Sequence, residues 1–392
     1  MIEHIKKIRA EYGISQSKLA VMTGLGLDKL KNIESGRTKL KDDIAEMLLT
    51  TLEKLNPNKP MEIIFDYIRI RFNTNDVNKV IEQYLKIKVD YFGVNEHGFY
   101  GYEKTYFLGD VFVMSSSTEE LGVMLELKGK GCRQFESYLE AQRRTWFTFF
   151  TQVLENNFAV VKRLDIAIND KTGILDIPFL SRKCDAGECI SVFKAYKSYS
   201  SGEMIKHREE NVQSMGHTLY IGSLRSEVYF CIYEKNYEEF VKMGVPMEDA
   251  EVKNRFEIRL KNDRAYKAIV DLLTYEDAEK TAFSIINRYV RFADADEELD
   301  REYWKNNSMW DYFIGENRRA IRLTTKPEPY TLDKTLRWIH KQVASTFKMA
   351  QEIDRINGTK NIEKILENAE LNEKHQKIIE QNTFSVEEVV IT

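Results

Sequence analysis

The segment VYFCIYEK places two tyrosines at alternate positions of a predicted β-strand. Tyr229 and Tyr233 therefore point to the same side of a sheet, and Cys231 and Lys235 share that side. The hydroxyl of tyrosine has an ordinary pKa of about 10, so it becomes a good nucleophile at neutral pH only beside a cation. The pattern predicts either an ordinary half-buried strand or a tyrosine that is placed for nucleophilic attack.

Charged residues occupy alternate positions in three further predicted strands, KRLDIAIND, RFEIRLKN and VMLELK. If the apolar residues of all four strands pack in one core, their polar side chains share the opposite face. That face then holds the two tyrosines together with Asp165, Glu257, Glu126 and Arg259. On alternation alone, a solvated sheet face with cross-strand ion pairs explains the set equally well.

Carboxylates and arginines around a tyrosine match the needs of phosphodiester cleavage. Asp and Glu oxygens suit a hard divalent cation, which binds and polarises a phosphate. Attack by a tyrosine leaves a phosphotyrosine, which stores the energy of the broken bond for rejoining. The arginines take up the negative charge that develops at the phosphate. The shared face is therefore a candidate site for phosphodiester chemistry.

Length and composition limit the possible classes of protein. A chain of 392 residues is expected to hold two or three domains, and 43% hydrophobic with 31% charged residues is typical of a globular protein. The net charge of −4 argues against a protein that coats nucleic acid over its whole surface. The sequence has no apolar signal region, no apolar run of about 18 residues and no CxxC pair. We expect a cytoplasmic protein with free thiols and no membrane insertion.

Changes in apolar periodicity divide the chain into three segments. Residues 1–57 are predicted to form a small all-α helix-turn-helix domain. Residues 61–263 are predicted to form a catalytic domain on a mainly antiparallel β-sheet with helices on one face. Residues 264–392 are predicted to be the mostly helical C-terminal part, with a mobile tail. The expected fold class is therefore α+β.

The N-terminal segment GISQSKLAVMTGLGLDKLKNIESGR resembles the helix-turn-helix of the phage repressor (Cro and cI) family. Ser15 is suited to cap the first helix of the motif, and Gly24 supplies the turn before the second helix. The resemblance implies DNA contacts by two sets of residues. They are Leu27, Asp28, Lys31 and Asn32 in the major groove, and Gln16 and Arg37 near phosphates. The alternative is a helical bundle that binds a protein or packs against the rest of the chain.

Five further segments resemble the successive motifs of the replication-initiation (Rep_trans) family. They are LELKGKGCRQFE, KRLDIAIND, GHTLYIGSLRSEVYFCIYEK, RFEIRLKN and TLDKTLRWIHKQVA, and they run from about residue 61 to about residue 350. The family comprises initiators of rolling-circle plasmids and the MOBT relaxases of integrative conjugative elements. A repressor-type helix-turn-helix before this domain resembles the relaxases more than the plasmid initiators.

The resemblance implies which residues act. By position, the tyrosine of IYEK is Tyr233, which we expect to be the nucleophile, with Tyr229 as the reserve candidate. Asp165 and Glu257 match the acidic motif positions and are the expected ligands of Mg²⁺ or Mn²⁺, with Glu126 as a third candidate.

Three basic residues are implied as partners of the phosphate or of the nucleophile, namely Arg225, Lys235 and Arg259. Relaxases of this kind nick one strand at an origin of transfer and remain joined to its 5′ end, for conjugative transfer and rolling-circle replication. The expected substrates are double-stranded and single-stranded DNA at that origin. Because no GxxxxGK[ST] loop is present, unwinding requires a separate host helicase, and a coupling protein is a further expected partner.

Two other functions stay open from the sequence. A plasmid replication initiator uses the same chemistry, and a non-catalytic helix-turn-helix transcriptional regulator binds DNA without cleaving it. Separately, basic residues alternate with aromatic ones in KGKGCRQFE and QRRTWFTFF. These segments could hold and stack a single strand, or their aromatic residues could simply pack helices together.

Overall fold

The computed structural model describes residues 1–59, 61–118, 120–155, 158–202, 214–315 and 323–391. Within them, four N-terminal helices precede a chain in which strands and helices are interspersed. The strands are β1 (Glu62–Phe72), β2 (Gly93–Asn95), β3 (Lys104–Leu108), β4 (Val111–Ser115), β5 (Val123–Lys128), β6 (Ala159–Asp170), β7 (Cys189–Ser191), β8 (Tyr196–Gly202), β9 (Ser214–Ile221), β10 (Val228–Glu234), β11 (Asn254–Lys261) and β12 (Val290–Phe292). The helices are α1 (Ile2–Glu11), α2 (Gln16–Thr23), α3 (Leu27–Glu34), α4 (Asp42–Lys54), α5 (Val77–Lys79), α6 (Lys130–Ala141), α7 (Trp146–Leu154), α8 (Ile177–Asp185), α9 (Lys235–Met243), α10 (Asn262–Tyr275), α11 (Ala278–Tyr289), α12 (Ser308–Ile314), α13 (Asp333–Trp338), α14 (Ala344–Asn357), α15 (Asn361–Glu367), α16 (Glu373–Gln381) and α17 (Val386–Val389).

Helices α1–α4 enclose a small apolar core. Its buried members are Ile5, Leu19, Ala20, Leu30, Ala45, Leu48 and Leu52. Ser15 caps α2 by accepting a hydrogen bond from the Lys18 backbone N–H at 3.1 Å. Gly24 ends α2 with a φ of +69°, a left-handed conformation that favours glycine. The cap, turn and second helix therefore occur at the positions that the sequence indicates.

The chain forms two compact units. The first comprises Met1–Phe65 and Leu164–Thr324, and the second comprises Asp66–Arg163 and Thr325–Thr392. Strands β1 and β6 each contribute residues to both units. The division into segments 1–57, 61–263 and 264–392 remains a prediction, because it follows periodicity along the sequence whereas the units follow spatial contacts.

The first unit is built on strands in the order β6-β11-β10-β9-β8. Strand β10 pairs antiparallel with both β9 and β11, and β9 pairs antiparallel with β8. On the apolar face, the Phe256 ring lies 5.6 Å from Phe313 and 6.4 Å from Trp310 of α12. The Phe230 ring lies 6.1 Å from Tyr289 of α11. Helices therefore cover the apolar face, and the alternating polar residues point to the other one.

The second unit contains strands in the order β2-β3-β4-β5-β1, all paired antiparallel, with α6 packed on β4 and β5. The Phe135 ring of α6 lies 5.5 Å from Trp146 and 5.1 Å from Phe149 of α7. These three rings and Phe150 are buried. Trp146, Phe149 and Phe150 of QRRTWFTFF therefore pack helices together, which is the helix-packing alternative for these three rings.

The expected α+β fold class, with a large antiparallel sheet, N-terminal helices and C-terminal helices, is confirmed. One detail of the strand prediction is wrong, because β10 ends at Glu234 and Lys235 begins α9. At the other end of the chain, Val389 O accepts a hydrogen bond from Lys88 N at 3.0 Å. Among the described residues, no helix is both long and apolar enough to cross a membrane.

Candidate active site on the polar face of the first unit

Strands β9, β10 and β11 set the register of the candidate site. Across β10 and β11, Tyr233 lies opposite Arg255 and Cys231 lies opposite Glu257. One further pair along, Tyr229 lies opposite Arg259. Because the period of a strand is two, these six side chains point to one face, as the sequence predicts.

The Tyr233 hydroxyl donates a hydrogen bond to Glu257 Oε1 at 2.8 Å. The Glu257 side chain comes from the neighbouring strand, diagonally across the ladder, and the residue is only 3% exposed. Tyr233 itself is half-buried, so part of its side chain reaches solvent. The structure therefore joins the predicted nucleophile directly to one of the predicted metal ligands, with the phenolic proton pointing at a carboxylate oxygen.

Arg259 joins the two buried carboxylates of the face. Its Nη2 lies 2.6 Å from Glu257 Oε2, and its Nε lies 3.8 Å from Asp165 Oδ2. Asp165 is 2% exposed. Burial alone would lower the pKa of Arg259, but the charge of Glu257 outweighs burial and raises that pKa above its ordinary value. Arg259 is therefore a permanent cation beside the tyrosine–carboxylate pair.

The reserve candidate Tyr229 lies deeper in the same face. It is only 5% exposed, and its ring has the Arg259 guanidinium 5.7 Å from its centroid and the Lys261 ammonium 5.1 Å away. The nearby Cys231 thiol is held protonated, since burial and the Glu257 charge raise its pKa to about 12. Burial, with the Cys231 thiol, also raises the pKa of Tyr220 to about 12. Of the tyrosines on this face, Tyr233 is thus the one that combines exposure with a carboxylate partner.

Two of the predicted basic partners have other surroundings. Lys235 Nζ lies 2.5 Å from Glu238 Oε2 and 3.9 Å from Glu239 Oε1, both in its own helix. Arg225 lies in the exposed turn between β9 and β10, where its backbone N–H donates to Ser223 Oγ at 3.3 Å. Their roles in the site stay predictions.

Arg255 belongs to the polar face but was absent from the predicted site. It lies opposite Tyr233, and its Nε donates to Asn169 Oδ1 at 2.7 Å. Both residues are buried. Alternation along RFEIRLKN and KRLDIAIND places them on this face, so the signal was present in the sequence. Arg255 therefore links β11 to β6 at the position opposite Tyr233.

Glu126, the third predicted metal ligand, lies in the second unit. Its Oε1 accepts hydrogen bonds from the hydroxyls of Tyr67 and Tyr100, and its Oε2 lies 2.8 Å from Lys128 Nζ. Burial opposes ionisation, but the hydrogen bonds from Lys128 and the two tyrosines outweigh it and lower the pKa of Glu126. Glu126 is therefore an ionised carboxylate with protein partners at both oxygens.

The predicted DNA-contacting residues of the N-terminal helices fall into two groups. Asp28, Lys31 and Arg37 are exposed, and Asn32 is half-buried. Leu27 packs against the apolar core of α1–α4. Gln16 Nε2 donates to Glu34 Oε2 at 2.7 Å, so its amide already serves an internal contact.

Comparison with known proteins identifies the family. The sequence profile of the replication initiation factor family (Rep_trans) matches residues 159–366, and that of the N-terminal domain of rolling-circle replication initiation proteins matches residues 62–152. The chain is 39% identical over 333 residues to the proposed DNA relaxase NicK of Bacillus subtilis (strain 168), covering 85% of this chain and 93% of that relative. The chain belongs to the replication initiation factor family.

A solved structure agrees with this assignment. The rolling-circle replication initiator protein of Geobacillus stearothermophilus matches with a TM-score of 0.59 at 25% identity, covering 68% of this chain and all of that one. The predicted resemblance to this family is confirmed, and relaxase or rolling-circle replication initiator is the function class that its members share.

The polar face of the first unit offers few side chains that could bind a metal ion. Within the described parts of the chain, no group of three or more His, Cys, Asp or Glu side chains is arranged to hold an ion. Asp165 and Glu257 do provide carboxylate oxygens on one face, both within reach of Arg259. Mg²⁺ commonly uses one or two carboxylates and completes its shell with water and substrate phosphate. The pair therefore fits an ion that arrives with its phosphate.

We expect Arg259→Ala to destabilise the protein by about 3 kcal/mol at pH 8, because two buried carboxylates lose their shared cation. Urea unfolding measures the loss. The exposed Arg288→Ala in α11 is the control. A loss no larger than that of the control would contradict the bridging role.

Proposed function

We propose that the chain is a DNA relaxase, which nicks one strand at an origin of transfer by attack of Tyr233. The observation that carries this proposal is the 2.8 Å hydrogen bond from the Tyr233 hydroxyl to Glu257, on a face that also holds Arg259. A half-buried tyrosine with a carboxylate acceptor and a fixed cation has the parts of an activated nucleophile. Membership of the replication initiation factor family agrees with this chemistry.

In the proposed step, Tyr233 Oη attacks the phosphorus of the scissile phosphodiester. The new Oη–P bond replaces the bond between phosphorus and the 3′ oxygen, which leaves as a free 3′ hydroxyl after taking up a proton. The protein then stays joined to the 5′ end as a phosphotyrosine. Reversal by a 3′ hydroxyl rejoins the strand, because the energy of the phosphodiester is retained in the tyrosyl ester.

Glu257 is the proton acceptor in this proposal. The ordinary pKa values of a phenol and a carboxyl differ by about 6, so transfer between them is uphill by about 8 kcal/mol without assistance. A cation beside the developing phenolate reduces that cost. Arg259 is positioned for this role, since it is permanently charged and contacts Glu257 at 2.6 Å. The same guanidinium can stabilise charge on the phosphate.

Asp165 and Glu257 are the residues that would hold Mg²⁺ or Mn²⁺, and the bound ion would supply further polarisation of the phosphate. Arg259 contacts both carboxylates, and its single positive charge offsets one of their two negative charges. Glu126 belongs to the second unit and is not placed in this ligand set.

The N-terminal helices would bind duplex DNA beside the nick as a helix-turn-helix. In this proposal the exposed Asp28 and Lys31 and the half-buried Asn32 face the major groove from α3, and Arg37 lies near phosphates. Gln16 and Leu27 would act indirectly, by fixing the helices through Glu34 and the apolar core.

Initiation of rolling-circle plasmid replication is a second candidate function. It is favoured by the similarity of the chain to the N-terminal domain of rolling-circle replication initiation proteins and to a solved initiator structure. It uses the same nicking step. In the relaxase proposal, a coupling protein and a host helicase complete transfer; in the initiator proposal, DNA synthesis begins at the nick. A cytoplasmic location suits both.

Removing the Tyr233 hydroxyl tests the nucleophile. We expect Tyr233→Phe to reduce nicking of a supercoiled plasmid that carries the candidate origin by about 10³-fold or more, with loss of the protein–DNA adduct in mass spectrometry. Tyr229→Phe is the matched control and should stay within about threefold of wild type, since its hydroxyl makes only a 3.5 Å contact to Arg259. Unchanged nicking by Tyr233→Phe would exclude the proposal, and binding without cleavage by wild type would favour a non-catalytic regulator.

Metal binding can be measured apart from cleavage. We expect Mn²⁺ to bind Tyr233→Phe in the presence of an origin oligonucleotide, as followed by electron paramagnetic resonance. Adding Asp165→Asn should weaken that binding about tenfold or more, because one of two carboxylate ligands is lost. Asp271→Asn, at an exposed position of α10, should have no effect. Equal Mn²⁺ affinity in all three proteins, or full nicking in chelator, would remove Asp165 from the ligand role.

The N-terminal helices can be tested by separating duplex binding from cleavage. We expect the double substitution Lys31→Ala and Asn32→Ala to weaken binding of the origin duplex about tenfold or more, since it removes a phosphate or base contact from each side chain. Cleavage of a short single-stranded origin oligonucleotide should persist. Lys7→Ala, an exposed lysine of α1, is the control. Unchanged duplex affinity in the double variant would show that α3 does not read DNA.

A further inference from the structure

Arginines and tyrosines alternate along one face of the second unit. The Arg163 guanidinium lies 3.9 Å from the centroid of the Tyr67 ring, and the Arg69 guanidinium lies 6.0 Å from the same centroid. Arg69 also lies 4.7 Å from the centroid of the Tyr100 ring. We call the series Arg163, Tyr67, Arg69 and Tyr100 the cation–aromatic ladder. Each of its contacts is within the range of cation–π attraction.

A single buried carboxylate holds the ladder in place. Glu126 is 2% exposed, and its Oε1 accepts from the hydroxyls of both ladder tyrosines. Burial and the Glu126 charge raise the pKa of Tyr67, so that hydroxyl remains a proton donor. Lys128 Nζ lies 2.8 Å from Glu126 Oε2, with its side chain 54% exposed. The negative charge is thus buried while the positive charges reach the surface.

The Arg69 guanidinium is partly open to a ligand. Its Nε is buried and has no hydrogen-bond partner within the described residues, but the side chain as a whole is 21% exposed. The contact from Nη1 to Glu126 Oε1 is 4.0 Å long, so it does not fix the end of the guanidinium as a short ion pair would. A partly exposed guanidinium with a loosely held end is suited to bind a phosphate.

The ladder ends in an exposed ring. Tyr100 is 54% exposed, and Phe99, which precedes it in the chain, is 63% exposed. Tyr100 has a φ of +59°, a left-handed conformation that is unfavourable for a non-glycine residue. Its hydroxyl is nevertheless fixed to Glu126 at 2.9 Å. An exposed ring beside a cation, with a second exposed aromatic residue next to it in the chain, is suited to stack on bases and is not needed for packing of the protein's own core.

We propose that the cation–aromatic ladder, with Phe99 and Lys128, is a binding site for single-stranded DNA. Arg69, Arg163 and Lys128 would contact successive phosphates, and Phe99 and Tyr100 would stack on bases. Duplex DNA offers its phosphates but not the faces of its bases, so the exposed rings favour a single strand. The proposal rests on the proposed function for the identity of the nucleic acid.

The test measures binding of a labelled oligothymidylate by fluorescence anisotropy over a range of salt concentrations. The full chain carrying Tyr233→Phe is used, so that no cleavage interferes. We expect Lys128→Gln to make the slope of log affinity against log salt shallower by about 0.7, and Arg69→Gln with Arg163→Gln to make it shallower by about 1.4. Phe99→Ala should weaken binding about fivefold or more with little change of slope, because stacking carries no charge.

Controls separate a binding role from a structural one. Lys348→Gln, an exposed lysine of α14 in the same unit, should leave both affinity and slope unchanged. The two arginines also pack on Tyr67, so thermal unfolding of the double variant Arg69→Gln with Arg163→Gln is measured. If that double variant is destabilised, the test depends on Lys128→Gln and Phe99→Ala, which change exposed side chains. Unchanged affinity and slope in those two variants would overturn the proposal.

The outcome is independent of the nicking experiment. If Tyr233→Phe still nicks while the ladder variants lose single-strand binding, the proposed nucleophile is wrong and the ladder stands. If Tyr233→Phe abolishes nicking and the ladder variants bind normally, the reverse holds. Glu126→Gln adds a check on Glu126 itself: loss of Mn²⁺ binding with normal single-strand affinity would return Glu126 to the metal ligands and overturn its role in the ladder.

Discussion

The ion pairs of Arg259 with Asp165 and Glu257 are the interaction on which the proposed site depends. Two carboxylates that are 2% and 3% exposed repel each other and lose hydration, and a neighbouring cation offsets part of that cost. A guanidinium supplies that charge in a fixed direction, from the strand that also carries Glu257. Arg259 contacts Glu257 Oε2, and Oε1 accepts the hydrogen bond from Tyr233. Charge compensation and nucleophile activation are therefore one arrangement, and a bound metal would have to share the carboxylates with Arg259.

Much of this face could be predicted from the sequence, because strand periodicity is a local property. Alternation alone placed Tyr233, Glu257, Arg259 and Asp165 on one side of the sheet, and the structure brings them into contact. Alternation could not choose between Tyr229 and Tyr233. Both side chains point to the same face of the sheet. They differ in burial, since Arg259 and Lys261 lie near the Tyr229 ring. Nor could it find the end of β10, where the helix beginning at Lys235 takes that residue off the strand face.

Glu126 shows what strand periodicity cannot predict. The side of β5 on which Glu126 lies was predicted correctly from alternation along the strand. Alternation does not show which other strands are neighbours. The pairing of β5 with β1 puts Glu126 opposite Arg69, and a loop brings the Tyr100 hydroxyl onto it. Both contacts join residues that are far apart in sequence, and the second depends on a left-handed residue that no propensity favours. These contacts between distant residues could be known only from the fold.

Each of the two units contains a tyrosine that donates to a buried glutamate, but the two pairs serve different purposes. Tyr67 and Tyr233 each donate a hydrogen bond to a buried glutamate. The Tyr67 ring lies between two guanidinium groups, and its pKa is raised by burial and by Glu126, so its hydroxyl is kept as a structural donor. Tyr233 donates to a glutamate whose other oxygen lies on Arg259. A cation on the acceptor is common to both, since Lys128 Nζ lies 2.8 Å from Glu126 Oε2. What separates the two tyrosines in this protein is the rest of their surroundings: Tyr67 shares its acceptor oxygen with Tyr100, whereas the cation beside Tyr233 also contacts a second buried carboxylate, Asp165.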